Sequence, residues 1–276
     1  MKKKISFVSI ILFIAFSPKK THCQTQQFGS ITYGKAINIS GKQRMLSQKM
    51  SKAYLLITKG INDPEIKKEL NSSKFIFEKQ LQILSTNASS TTVKLSLKKV
   101  EKLWTEFKTL INTTPDFPNA SQIIKLNTPL LKACNEVVSN IENNFNYNNQ
   151  FFKNKNKDLV NIINVSGRQR MLSQRLCLYY TASAMFTQEN EVFKKTLNTV
   201  YKEFDTAIGS LLISNHNSTD IEEELGTVMS LWERFQTNQN KLLNNGFQLQ
   251  EVFNTTNQLT KSFNKITGLY EGISNN

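Results

Sequence analysis

Two arginines are the residues of this chain best suited to chemistry. Residues 37–50, INISGKQRMLSQKM, return at 163–176 as INVSGRQRMLSQRL, with ten of the fourteen positions identical and the other four conservatively exchanged. The copied positions are not mainly apolar: Ser40/Ser166, Gly41/Gly167, Arg44/Arg170, Ser47/Ser173 and Gln48/Gln174 all return. Core packing alone would preserve the apolar positions first, so something other than packing requires these polar types twice. A guanidinium group is a planar fork of N–H donors that matches a planar oxyanion. Serine hydroxyls and glutamine amides add neutral donors, and glycine permits close backbone approach. Two such sets brought face to face would hold a small oxyanion between Arg44 and Arg170. The alternative pairs each arginine with a carboxylate or a helix-end carbonyl. Neither motif contains an acid, which favours an exogenous anion.

The elements that must position these residues are helices. Glycine and proline are scarce, and apolar residues recur at three- and four-residue spacings with little strict alternation. The pattern predicts eight helices, at roughly 31–59, 64–85, 91–112 and 121–147 in the first half and 156–187, 190–213, 219–242 and 247–272 in the second. Asn62-Asp63-Pro64 is a helix start, an Asx cap followed by proline in the first turn. Thr113 to Asn119, with two prolines, reads as a loop, and Ser218-Thr219-Asp220 opens a further helix. The duplication extends beyond the motif: Trp104 and Phe107 match Trp232 and Phe235, and Phe77 matches Phe204. These aromatics read as core anchors. The expected fold is therefore all-α, two tandem up-and-down four-helix bundles related by a pseudo-twofold axis. The polar stretch from Asn146 to Lys157 would join them.

At 100° per residue, Ile39, Leu46, Met50, Ala53 and Ile57 form one stripe of the first helix and face the bundle core. Ser40, Gly41, Arg44, Ser47, Gln48 and Ser51 lie on the opposite face, with Ile37 near its start. The second half repeats the division, with Val165, Leu172, Leu176 and Tyr179 against Ser166, Gly167, Arg170, Ser173, Gln174 and Cys177. Matched small faces imply that the two first helices pack on each other and bring Arg44 to Arg170.

The rest of the chain narrows the function. Lys2, Lys3 and Lys4 precede an apolar run, Ile5 to Phe16, too short to span a bilayer. Residues 1–23 thus read as a secretory signal, with Cys23 as a less favoured lipidation site, and no later segment is apolar enough to span. The expected domains are 1–23, 24–147 and 148–276, and the expected location is exported, periplasmic or secreted. Subtracting the five lysines of residues 1–23 from the formal +14 leaves +9, scattered over many segments rather than interleaved with aromatics, which argues against nucleic acid. Beyond residue 23 there are two cysteines, Cys134 and Cys177, and one histidine, His216. That inventory gives no disulfide framework, no metal cluster, no cofactor site and no catalytic histidine. A bond between Cys134 and Cys177 stays open. A buried free thiol is favoured, because Cys177 takes the place that Ser51 holds beside the arginine face.

The motif S-G-[KR]-Q-R-M-L-S-Q-[KR] resembles the signature of the PilJ-type, NarX-like sensor domain, the extracytoplasmic part of type IV pilus chemotaxis transducers and nitrate/nitrite sensor kinases. The resemblance implies a four-helix bundle working as a parallel dimer, with the motif arginine of both first helices binding the anion. That role falls on Arg44 and Arg170, with Gly41 and Gly167 alongside. It implies a non-enzymatic sensor-type binding protein for a small oxyanion, nitrate or nitrite foremost, with a membrane signalling protein as a possible partner. The competing reading is a structural or interaction module in which the duplicated motif only glues two bundles together.

Overall fold

A computed structural model describes residues 27–148 and 157–274. Residues 1–23 and most of the stretch expected to join the halves lie outside the described residues. A two-stranded antiparallel hairpin, β1 (Gln27–Phe28) and β2 (Ile31–Thr32), leads into α1 (Tyr33–Thr58). Then follow α2 (Pro64–Asn87), α3 (Thr91–Ile111) and α4 (Phe117–Asn148). The second half comprises α5 (Lys157–Met185), a 3-10 turn at Thr187–Glu189, α6 (Asn190–Leu212), α7 (Thr219–Thr237), the short α8 (Gln239–Leu243) and α9 (Leu249–Ser274).

Local chemistry sets these boundaries. Asp63 caps α2 by accepting a hydrogen bond from Glu65 N at 2.9 Å, with Pro64 at the first helical position. Thr32 Oγ1 caps α1 by accepting from Lys35 N at 3.2 Å. The hairpin was not expected from the sequence, which placed 31 and 32 in the first helix. Its turn needs Gly29 at φ +61, and Ser30 is tied by its N and Oγ to Asn87 Oδ1. The helix expected over 219–242 is interrupted at Asn238, whose backbone leaves the helical region (φ −115, ψ 40) and whose Nδ2 donates to Arg234 O.

Each half closes into a four-helix bundle, α1 to α4 in the first and α5, α6, α7 and α9 in the second. The aromatic anchors occupy equivalent places. Phe77 and Trp104 lie 4.4 Å apart between ring centres, and Phe204 and Trp232 lie 4.5 Å apart. Each indole N–H finds a carboxylate one residue beyond its phenylalanine partner: Trp104 donates to Glu78, and Trp232 to Asp205 at 2.8 Å. The halves meet through α1 and α5. Successive contacts advance in the same direction along both helices, Asn38 with Arg170 near the start and Lys59 with Ala184 near the end, so the two run parallel.

Replacing Trp232, which is fully buried, with alanine should cost about 3–5 kcal/mol through lost burial and the cavity left behind. Denaturant unfolding measures this; a loss below about 1 kcal/mol would contradict the anchoring role.

Candidate functional site

The first helix of each half is buried on two faces, because it packs on its own bundle and on its counterpart, with Lys42, Lys49 and Arg168 left on the strip that still reaches water. Ile39, Leu46, Met50 and Ala53 are buried toward one side of α1, and Ser40, Arg44, Ser47, Gln48 and Ser51 are buried toward the other. A helix with one apolar stripe would normally show its polar face to water. Here the polar face makes the seam between the halves, as its small residues imply.

Both motif arginines lie in this seam. Arg44 is 8 % exposed and Arg170 is 4 % exposed, which leaves two guanidinium cations almost without water. Their ends converge over Gly41: a Cβ built there would sit 3.5 Å from Arg44 Nη2 and 3.8 Å from Arg170 Nη2. At Gly167 a Cβ would sit 3.0 Å from Arg170 Nη2. The glycines were expected to let two backbones approach. Instead the space they leave is filled by the guanidinium groups.

The two arginines are held differently. Arg170 donates from Nε to Gly167 O at 3.1 Å, from Nη1 to Asn264 Oδ1 and Asn38 Oδ1 at 3.3 Å each, and from Nη2 to Asn38 Oδ1 at 3.4 Å. Arg44 donates from Nη1 to Asn135 Oδ1 at 3.0 Å, while its buried Nε has no hydrogen-bond partner among the described residues. A buried unsatisfied donor costs about 1–3 kcal/mol, more when charged. Burial pushes the pKa of both arginines down, Arg170 to about 10; the Arg44 charge lowers Arg170 further, and Arg168 lowers Arg44. Both still carry charge at neutral pH.

The acids absent from the motifs come from the last helix of each half. Glu142 of α4 draws the Arg44 charge and Glu271 of α9 draws that of Arg170. Each carboxylate also reaches across the seam to the other half's motif: Asn38 Nδ2 donates to Glu271 Oε2 at 3.2 Å, and Asn164 donates to Glu142. Asn38 and Asn164 occupy the same place in the two motifs, so their identity in both copies was the sequence signal for this contact. Asn135, Asn264, Glu142 and Glu271 carried no such signal.

The other expected site residues divide by chemistry. Ser40 and Ser166 donate to Ile37 O and Ile163 O, Ser47 to Arg44 O and Ser173 to Gln169 O, all on their own helices. Their value to the seam is small size. Gln48 donates to Ser47 Oγ, and Gln174 to Thr260 Oγ1 and Asn257 Oδ1, while both amide oxygens are buried without a partner. Cys134 and Cys177 are free, buried thiols, which closes the question of a bond between them. Burial pushes their pKa up to about 12 and about 11.

The seam has a second polar cluster that the sequence did not announce. Lys52, fully buried two turns beyond Arg44, lies 2.5 Å from Glu69 Oε1, donates to Asn257 Oδ1 at 2.8 Å and sits over the Phe253 ring. Asn257 in turn donates to Glu69 Oε2 at 3.0 Å. An ion pair within the first half is thus tied to α9 of the second. The corresponding residue in the second motif helix is Leu178.

The model of the family described as type IV pili methyl-accepting chemotaxis transducer N-term matches residues 32–125 and again 154–257. The chain belongs to that family, as a tandem pair. The PilJ family is sensory and non-catalytic, and its members serve membrane chemoreceptors. No curated protein and no solved structure matches the chain significantly. Among the described residues no helix is long and apolar enough to cross a membrane, and no His, Cys, Asp and Glu group could hold a metal ion.

Lys52→Ala should destabilise this PilJ pair by about 3–5 kcal/mol, because it takes from buried Glu69 its nearest cation and leaves it only the longer 3.5 Å pair with the partly exposed Lys49. Lys52→Met combined with Glu69→Leu should recover most of that loss. Thermal or denaturant unfolding checks both; equal losses in the single and double variants would contradict the pairing.

Proposed function

We propose that this tandem PilJ protein is an exported, periplasmic sensor-type binding protein whose two halves together hold one small planar oxyanion, nitrate or nitrite, between Arg44 and Arg170. The observation that carries the reading is the convergence of two buried guanidinium groups over Gly41, one of them with an unpartnered Nε. Like charges in a dry seam repel strongly. A planar oxyanion accepts from both forks and turns that repulsion into two sets of charge-assisted hydrogen bonds. Gly41 and Gly167 leave room for the forks, and Asn135, Asn264 and Asn38 fix their orientation. Because one arginine belongs to α1 and the other to α5, the ligand bridges two parallel helices that run the length of their bundles. Occupancy would alter how those helices sit against each other, a state that a membrane signalling partner can read.

A second reading has support of its own. Arg170 already donates to three protein acceptors, and Glu142 and Glu271 offset the two cations. On this reading the seam is a structural joint with no ligand.

Calorimetric titration of residues 24–276 with nitrate, nitrite, sulfate and acetate separates the two. The sensor reading expects nitrate or nitrite to bind and to raise the melting temperature. Arg44→Ala should then weaken binding by about tenfold to hundredfold, since a charged hydrogen bond contributes roughly 1.5–3 kcal/mol. Its ligand-free melting temperature should be unchanged or higher, because an unsatisfied cation has been removed. Arg170→Ala should weaken binding to a similar degree but should lower stability, because it removes bonds to Asn38, Asn264 and Gly167. Wild-type protein that binds none of the four anions would leave the joint as the function of the seam.

A further inference from the structure

We propose that the Asn38 amide is a built-in competitor of the ligand: in the empty protein its Oδ1 fills the fork of Arg170, and an oxyanion must displace it to reach both arginines. This rests on the oxyanion reading above. Arg170 donates from Nη1 and Nη2 to that single oxygen, at 3.3 and 3.4 Å. Nη2 is also the atom that meets Arg44 Nη2 over Gly41, where both lie within 3.8 Å of a Cβ built there. An oxyanion seated between the two arginines therefore needs the donor that Asn38 holds. Arg44 is held otherwise: its Nη1 donates to Asn135, and Asn164, the counterpart of Asn38, donates to Glu142.

The contact is weak enough to yield. Asn38 offers a neutral oxygen at long range, whereas an anionic oxygen accepts from a guanidinium at about 2.7–2.9 Å and roughly twice as strongly. Arg170 keeps its aim when Asn38 leaves, because Nε still donates to Gly167 O and Nη1 to Asn264 Oδ1. Asn38 is only partly buried, in the second turn of α1, so water can take over its amide once it is released. The release also reaches the helices. Asn38 Nδ2 donates to Glu271 Oε2 at 3.2 Å, so one amide ties the start of α1 both to Arg170 of α5 and to the last turn of α9. Displacement opens that tie, while Lys42 of α1 stays as a charged neighbour of Glu271.

The test is calorimetric titration of residues 24–276 with sodium nitrate and sodium nitrite, in wild type, Asn38→Ala, Asn38→Asp and the control Asn164→Ala. Asn38→Ala should tighten binding by about threefold to tenfold, because the ligand no longer competes with two hydrogen bonds. Asn38→Asp puts a charged acceptor on the same fork and should weaken binding by more than about tenfold. Asn164→Ala should not tighten it. A merely structural contact would instead give weaker binding in both Asn38 variants. Should Asn38→Ala fold poorly, the wild-type side-chain amide resonance of Asn38, assigned by its absence from Asn38→Asp, gives the same answer: it should move along the nitrate saturation curve toward the position of a hydrated amide. Equal or weaker binding by Asn38→Ala, the same tightening in Asn164→Ala, or an amide signal that stays fixed while nitrate binds would overturn the proposal and leave the oxyanion reading standing. Failure of both wild type and Asn38→Ala to bind either anion would remove the oxyanion reading, and this proposal with it.

Discussion

The structure is organised by the need to keep two guanidinium cations out of water and close together. Arg44 and Arg170 cannot be buried in an ordinary apolar core, because an ion stripped of solvent needs partners on every side. The seam supplies them in graded order: small residues that make room, asparagine oxygens from the last helices, and carboxylates that balance the charge from beside Asn38 and Asn164. Each half contributes to the other's arginine environment, Asn38 to Arg170 and Asn164 to Glu142 beside Arg44. This reciprocity gives a physical reason for two copies of one domain in a single chain. Covalent linkage holds the two parallel helices α1 and α5 at a fixed effective concentration.

The duplication is not fully symmetric. Arg170 donates to three protein acceptors, whereas Arg44 donates to Asn135 and keeps a buried Nε without a hydrogen-bond partner among the described residues. Further along the seam, Lys52 and Glu69 form a buried pair tied to Asn257, where the second copy has Leu178 in place of lysine. One end of the seam therefore holds the two arginines and the other a buried ion pair that ties α1 and α2 to α9.

Much of this was legible in the sequence, for identifiable reasons. Helical period and the paired tryptophans gave the two bundles, and the recurrence of Ser, Gly and Arg gave the seam, because polar identity across a long repeat is hard to explain by packing. The hairpin at Gln27–Thr32 was not legible, since strands of two residues leave no alternation to read. The break at Asn238 was hidden by continuous apolar spacing on both sides of it. Glu142 and Glu271 escaped notice because acids in the last turns of amphipathic helices look like any solvated residue. Their pairing is also displaced from the motif's own period by insertions in the second half. Lys52 and Glu69 were missed for the opposite reason: charged residues are expected outside, and their burial emerges only when α9 of the other half closes over them.

The central claim is that Arg44 and Arg170 form one site. Their side-chain Nε–H resonances, assigned by the single Arg→Lys variants of an isotopically labelled protein, report on it directly during a titration with sodium nitrate against sodium chloride at matched ionic strength. Joint movement of both signals along a single saturating curve, with nitrate and not with chloride, is the predicted result. Signals that stay fixed, or that follow two independent curves, would contradict it.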